Sequence, residues 1–182
     1  MHPLFGPNLQ LGFVVRDIEG EMRRWATQFG IGPFAYMPDI FMPEASYRGA
    51  PAAIRLACAL AYRGDGVQIE LIQPLDDKPS PYADFLASGR DGLHHFGFWP
   101  DDQDAAEQHL TSLGLVPVFS VIYGSAPRPS FYYPDPGGLG AMIELIEGGA
   151  RKQAGYERIK ALAHDAQSRD RAWEIIELYR PR

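Results

Sequence analysis

The sequence predicts an α+β fold made of two tandem modules, each a strand, a helix and about three further strands, followed by a helical extension. Two internal matches and one change of character carry this. Residues 10–15 (QLGFVV) align with residues 95–100 (HFGFWP), which sets Gln10 on His95, Gly12 on Gly97 and Phe13 on Phe98. Each module then ends in the same tetrapeptide, IELI, at residues 69–72 and 143–146. From Gly148 onward the chain turns rich in Ala, Arg, Glu and Gln and poor in turn residues. A repeated order of elements is the mark of a duplicated supersecondary unit, and each unit of about 65–75 residues is small for standing alone.

The elements follow in order. Residues 9–15 read as a strand buried on at least one face. Asp17 is placed to cap a helix over 18–29, where Ile18, Met22, Trp25, Ala26 and Phe29 recur at helical spacing, and Gly30 stands where a left-handed cap would stop it. The Pro- and aromatic-rich stretch that follows predicts one short strand at 34–36 and otherwise a loop, with 34–47 a candidate lid. Strands are expected at 53–62 and 67–73, joined by the hairpin signal Arg63-Gly64-Asp65-Gly66. A polar connection at 76–81 and a few helical turns at 82–88 lead to the second module. There the expected order is a strand at 93–99, a helix capped by Asp101 or Asp102 and closed by Gly114, and strands at 115–122, 129–133 and 141–146. In the extension, Tyr156, Ile159, Leu162, Ala163 and Ala166 give one helical stripe, and Trp173, Ile176 and Tyr179 another. This places modules at about 8–75 and 92–147 within a domain of 1–147, and a two-helix extension at 148–182.

Composition narrows the function classes. The chain has 182 residues with 46% hydrophobic and 22% charged, which is ordinary for a globular protein and excludes a disordered one. A net charge of −6 argues against nucleic-acid binding, which needs clustered Lys and Arg. The longest uncharged stretch, 108–127, is too broken by His109, Gly114, Pro117 and Gly124 to cross a bilayer, and no basic region opens the chain as in a signal peptide. The single cysteine, Cys58, allows no internal disulfide and reads as a small apolar filler. A soluble, cytoplasmic chain is the expectation.

The chemistry lies in the repeat. In a strand, Ile69 and Leu71 face one side while Glu70 and Ile72 face the other. A carboxylate among such neighbours is costly to bury unless it is paired or binds a metal, and here it recurs at Glu144. Gln10 and His95 are likewise polar groups inside apolar strands, at matching places. If a pseudo-two-fold axis relates the modules, Gln10, Glu70, His95 and Glu144 would converge. His94, by strand alternation, should turn away from His95, toward surface or support.

These features make the chain resemble the vicinal-oxygen-chelate superfamily, which includes glyoxalase I, methylmalonyl-CoA epimerase, extradiol dioxygenases and bleomycin-resistance proteins. The resemblance spans about residues 8–147. It implies tandem paired βαβββ modules forming a cup-shaped mixed sheet, with a divalent metal (Zn, Ni, Co, Mn or Fe) held by Gln10, Glu70, His95 and Glu144. The stretch from IELIQPL to GLHHFGF is most like methylmalonyl-CoA epimerase, and the ligand order Gln, Glu, His, Glu is like glyoxalase I. Three departures mark this chain. Val14 stands where glyoxalase has an arginine, Pro74 where it has an asparagine, and Arg55 near where the epimerase has its further glutamate. The implied function is a metal-dependent isomerase, epimerase or lyase that removes a proton next to a carbonyl, with Glu144 as base and Glu70 opposite it. The substrate would be a small carbonyl compound, with an acyl-CoA thioester as one candidate, and the assembly a homodimer. A metal-free binding protein and a ring-cleaving dioxygenase are the alternatives on this scaffold.

Overall fold

The computed structural model describes residues 4–6, 8–123, 126–147, 150–162 and 172–175. The first module comprises β1 (Asn8–Val14), α1 (Ile18–Phe29), β2 (Phe34–Tyr47), β3 (Ala50–Tyr62) and β4 (Gln68–Pro74). After the connecting helix α2 (Pro81–Ala87) the second comprises β5 (Gly92–Phe98), α3 (Gln103–Ser112), β6 (Phe119–Val121), β7 (Ser130–Tyr133) and β8 (Met142–Leu145). The extension contributes α4 (Ala150–Leu162) and β9 (Trp173–Ile175).

Local chemistry sets the helix ends. Asp17 accepts a hydrogen bond from the Gly20 amide and so caps α1, and Gly30 at φ 64° closes it in the left-handed region. Asp102, rather than Asp101, caps α3 through the Ala105 amide. Ser80 caps α2 through the Ala83 amide, with Pro81 at the first helical position, where its missing N–H costs nothing.

The sheet runs β3-β4-β1-β5-β8-β7-β6-β2-β9, and β2 also pairs with β3, so eight strands close on themselves and β9 is added on β2. Both modules use one pattern. β1 is parallel to β4 as β5 is to β8, and the modules join through the antiparallel pairs β1–β5 and β2–β6. Period-2 alternation then divides the core. Ile69 and Leu71 lie in an outer cluster under Ile18 and Met22 of α1, while Ile72 faces inward with Val14, Leu56, Cys58 and Tyr132. Ile143 and Leu145 lie under Ala106 and Leu110 of α3, so Glu70 and Glu144 both point to the inner wall.

Two elements differ from the sequence reading. The stretch expected to be mostly loop is the 14-residue strand β2. Its prolines, Pro38 and Pro43, sit where the β2–β3 register shifts, between Met37 and Ile40 and between Met42 and Ala45. A residue without an N–H is tolerated at such interruptions. The second helical stripe of the extension is replaced at its first residue by β9. Trp173 pairs with Phe34, packs its ring 6.3 Å from that of Tyr36 and lies under the Arg23 guanidinium. Ile176 and Tyr179, and Ala163 and Ala166 of the first stripe, fall outside the described residues. α4 buries Tyr156 and Ile159 against the inner cluster, next to Trp99 and Tyr62 at one end of the barrel, while α2 inserts Tyr82 and Phe85 by His94.

Candidate metal centre

The β1–β5 ladder pairs Gln10 with Gly97 and Gly12 with His95, a relation that maps onto itself when the modules are exchanged. The neighbouring parallel ladders pair Gly12 with Glu70 and Gly97 with Glu144. Each glycine therefore lies between a carboxylate on one side and an imidazole or amide on the other. A Cβ on Gly12 would overlap the His95 ring, and one on Gly97 would stand 2.6 Å from Gln10 Oε1. The two glycines are the missed half of the motif. The sequence aligned them, but their role needs the sheet register.

Glu70, His95 and Glu144 come together, with one ligand atom from each lying within 4.8 Å of the others. His95 Nε2 stands 3.2 Å from Glu70 Oε2 and 3.3 Å from Glu144 Oε2. All three are buried, at 8%, 0% and 2% exposure. Yet His95 Nε2 and Glu70 Oε2 make no aligned hydrogen bond among the described residues. Short contacts without alignment mean that these atoms are aimed at a shared point rather than at each other. The fourth expected ligand, Gln10, is buried on the same wall, and its Nε2 donates to Gln68 Oε1 at 2.7 Å, with Gln68 Nε2 donating on to Tyr62 Oη at 2.8 Å.

Burial opposes charge on His95, but the close approach of the Glu144 and Glu70 carboxylates outweighs it and raises its pKa to about 9. A proton on Nε2 thus occupies the place a cation would take. One imidazole and two carboxylates form a hard, oxygen-rich donor set suited to a divalent ion. The orphaned buried atoms, the glycine clearances and this donor set all fit such an ion.

The surroundings correct two assignments made from sequence. Cys58 is more than filler, since its thiol reaches Glu70 Oε1 at 3.6 Å. Burial, with the charge of Glu70, pushes that thiol well above its ordinary pKa. His94 is not turned away or at the surface; of the two places expected for it, it takes the supporting one beside His95. It is 2% exposed, and its Nδ1 is 3.1 Å from His95 Nδ1. Two buried phenols and the partly buried Tyr123 also line the wall: Tyr132 Oη bonds Tyr123 Oη at 2.8 Å and accepts from Tyr82 Oη at 3.2 Å. The Tyr132 ring packs 5.1 Å from His95. Burial first, and the charges on Glu144 and Glu70 besides, push Tyr82 and Tyr132 well above the usual phenol value, so both stay neutral. Arg55 points outward into an ion pair with Asp39, so that position brings no group to the centre. A rim pocket of about 370 Å³ adjoins the centre from the α2 side, lined by Arg48, Asp84, Arg90, His94, Asp135 and Met142 among others. The turn that follows β7 contributes to it through Pro134 and Asp135.

The ring of paired modules encloses a buried carboxylate–imidazole cluster, Glu70, His95 and Glu144, that could hold a metal ion. The chain belongs to the Glyoxalase/Bleomycin resistance protein/Dioxygenase superfamily, whose family profile matches residues 9–133. Solved structures share the fold. Methylmalonyl-CoA epimerase from Mycobacterium tuberculosis is similar over 85% of this chain and 95% of its own, at 22% identity and a TM-score of 0.62. Hypothetical protein BH1468 from Bacillus halodurans C-125 is similar over 79% and 94%, at 17% identity and 0.58. Streptomyces coelicolor methylmalonyl-CoA epimerase, in complex with 2-nitronate-propionyl-CoA, is similar over 79% and 95%, at 18% identity and 0.56. No curated protein matches the chain. Among the described residues, no helix is long and apolar enough to cross a membrane.

Proposed function

We propose that the chain is a divalent-metal-dependent isomerase, epimerase or lyase that removes a proton next to the carbonyl of a small-molecule substrate. The observation that carries this reading is the approach of two buried carboxylates to one imidazole nitrogen, at 3.2 and 3.3 Å, without an aligned hydrogen bond to either. Glu70, His95 and Glu144 would hold the ion, with Gln10 as the fourth ligand. A bound divalent cation supplies positive charge next to the oxygen that gains electron density when the proton leaves.

The protein's own groups do the rest. Glu144 would take the proton on a carboxylate oxygen, and Glu70, across the pseudo-axis, would return one that it has first drawn from solvent. Tyr132, kept neutral, offers its phenol as a hydrogen-bond donor. Tyr156 and Ile159 extend the apolar inner cluster on the α4 side. An acyl-CoA thioester is the first substrate class to try, because structural neighbours carry the name methylmalonyl-CoA epimerase. The test follows deuterium uptake from D2O next to the thioester carbonyl of methylmalonyl-CoA, using metal-loaded protein. Glu144→Gln should slow uptake by about 10²–10⁴-fold, the usual size of general-base catalysis. Uptake at the wild-type rate in Glu144→Gln would overturn the role given to Glu144.

A further inference from the structure

We infer that His94 is a positioning residue that fixes the tautomer of His95, so that Nε2 is the nitrogen turned to a metal. The inference rests on the metal reading above and concerns a side chain that reading does not use.

Strand alternation should separate His94 and His95. It fails because β5 bulges here: Gly12 pairs with His95 and Phe13 with Leu93, leaving His94 as the extra residue. The bulge brings both rings into the interior, nearly perpendicular, with centroids 5.3 Å apart. Tyr82 and Phe85 of α2 hold the His94 ring from outside, at 5.4 and 5.1 Å.

The two Nδ1 atoms are 3.1 Å apart, so one must donate and the other accept. The Pro81 carbonyl, which can only accept, also acts on the His94 ring and favours a hydrogen on it. With Nδ1 turned to His95, Nε2 is the nitrogen left for Pro81 and carries the hydrogen. In the neutral ring, His94 Nδ1 is then the acceptor. His95 must place a hydrogen on its own Nδ1, which leaves Nε2 to face Glu70 and Glu144. The same assignment follows from the other end, since ligation through Nε2 requires the hydrogen on Nδ1.

The pseudo-symmetry supplies a control within the molecule. The ladder skips Leu9 between Asn8 and Gln10 just as it skips His94, so Leu9 is the counterpart of His94. An amide has no tautomer to fix, and the module that presents Gln10 has leucine there. Gln10 is held instead by Gln68.

The experiment titrates Co²⁺ into the full chain, wild type against His94→Phe, which keeps a ring but no acceptor, and His94→Asn, which keeps an oxygen near the Nδ1 position. The expected result is a loss of about 10–100-fold in Co²⁺ affinity and an altered visible spectrum for His94→Phe, with recovery to within a few-fold of wild type in His94→Asn. Wild-type affinity in His94→Phe would overturn the inference. So would equal losses in both variants alongside equal falls in the melting temperature of the metal-free proteins, because that is a packing effect. Ring-nitrogen NMR of the metal-free wild type gives a reading that needs no metal: His94 Nδ1 should be unprotonated, and a hydrogen found there contradicts the inference. If wild type fails to bind Co²⁺, this spectrum alone decides the pairing, and the metal reading is judged separately on the other divalent ions.

Discussion

Gly12 and His95 face each other across the β1–β5 ladder with no room between them for a Cβ, because the imidazole lies over the glycine backbone. The ring cannot easily give way, since Tyr132 and His94 stand 5.1 and 5.3 Å from it, centroid to centroid. Gly12→Ala should therefore displace His95 from Glu70 and Glu144. We expect a fall of about 1–3 kcal/mol in stability, the usual range for overpacking, together with loss of metal binding. Denaturant unfolding and metal titration check the two parts. A Gly12→Ala protein that binds metal like wild type would contradict the packing described.

Protons and metal should compete at His95. Its pKa in the folded metal-free chain is raised from 6.5 to about 9. A raised folded-state value means that the associated stability is fully present below 6.5 and is lost as pH rises through 9. Binding a cation at Nε2 requires that proton to leave. Apparent metal affinity should thus rise about tenfold per pH unit toward pH 9 and then level off. Calorimetric titration in buffers of different ionisation heat would register the released proton. Affinity independent of pH between 6.5 and 9 would count against the geometry.

The Cys58 thiol should be inert. It is buried, its pKa is pushed well up by burial and by Glu70, and it donates to a carboxylate. Alkylation by iodoacetamide at pH 8 should be slower than in the denatured chain by at least about 100-fold, because modification must wait for opening. Rapid labelling of the native protein would contradict this placement.

The extension should act as part of the core. Ile159 is 1% exposed and packs on the inner cluster with Tyr156, which stacks on Trp99 at 5.1 Å. Ile159→Ala should cost about 2–5 kcal/mol, the range for emptying a buried site of that size. A cost below about 0.5 kcal/mol in denaturant unfolding would show that α4 does not seal the barrel.

Much of this was legible in the sequence where local signals agree. The α1 cap at Asp17, the stop at Gly30 and the inward facing of both IELI glutamates follow from spacing alone. What was not legible came from breaks in periodicity. Pro38 and Pro43 read as loop residues because a regular strand excludes proline, and only the bulges of β2 make room for them. His94 is turned the wrong way by strand alternation for the same reason, since alternation predicts nothing at a bulge. Gly12 and Gly97 were visible as a repeat, but a clearance for a side chain on a neighbouring strand depends on register. Trp173 sits in three residues of strand, too short for any period to announce; its partners, Phe34, Tyr36 and Arg23, are remote in sequence.

The central claim is that Glu70, His95 and Glu144 form a divalent-metal site. Its most direct test is metal titration of the full chain, purified without chelator, with Ni²⁺, Co²⁺, Mn²⁺, Zn²⁺ and Mg²⁺, followed by calorimetry and thermal shift. The account predicts one tightly bound ion per chain with at least one of these metals, and binding weakened in both Glu70→Gln and Glu144→Gln. No binding and no thermal shift with any of the five would contradict it and favour a metal-free binding protein.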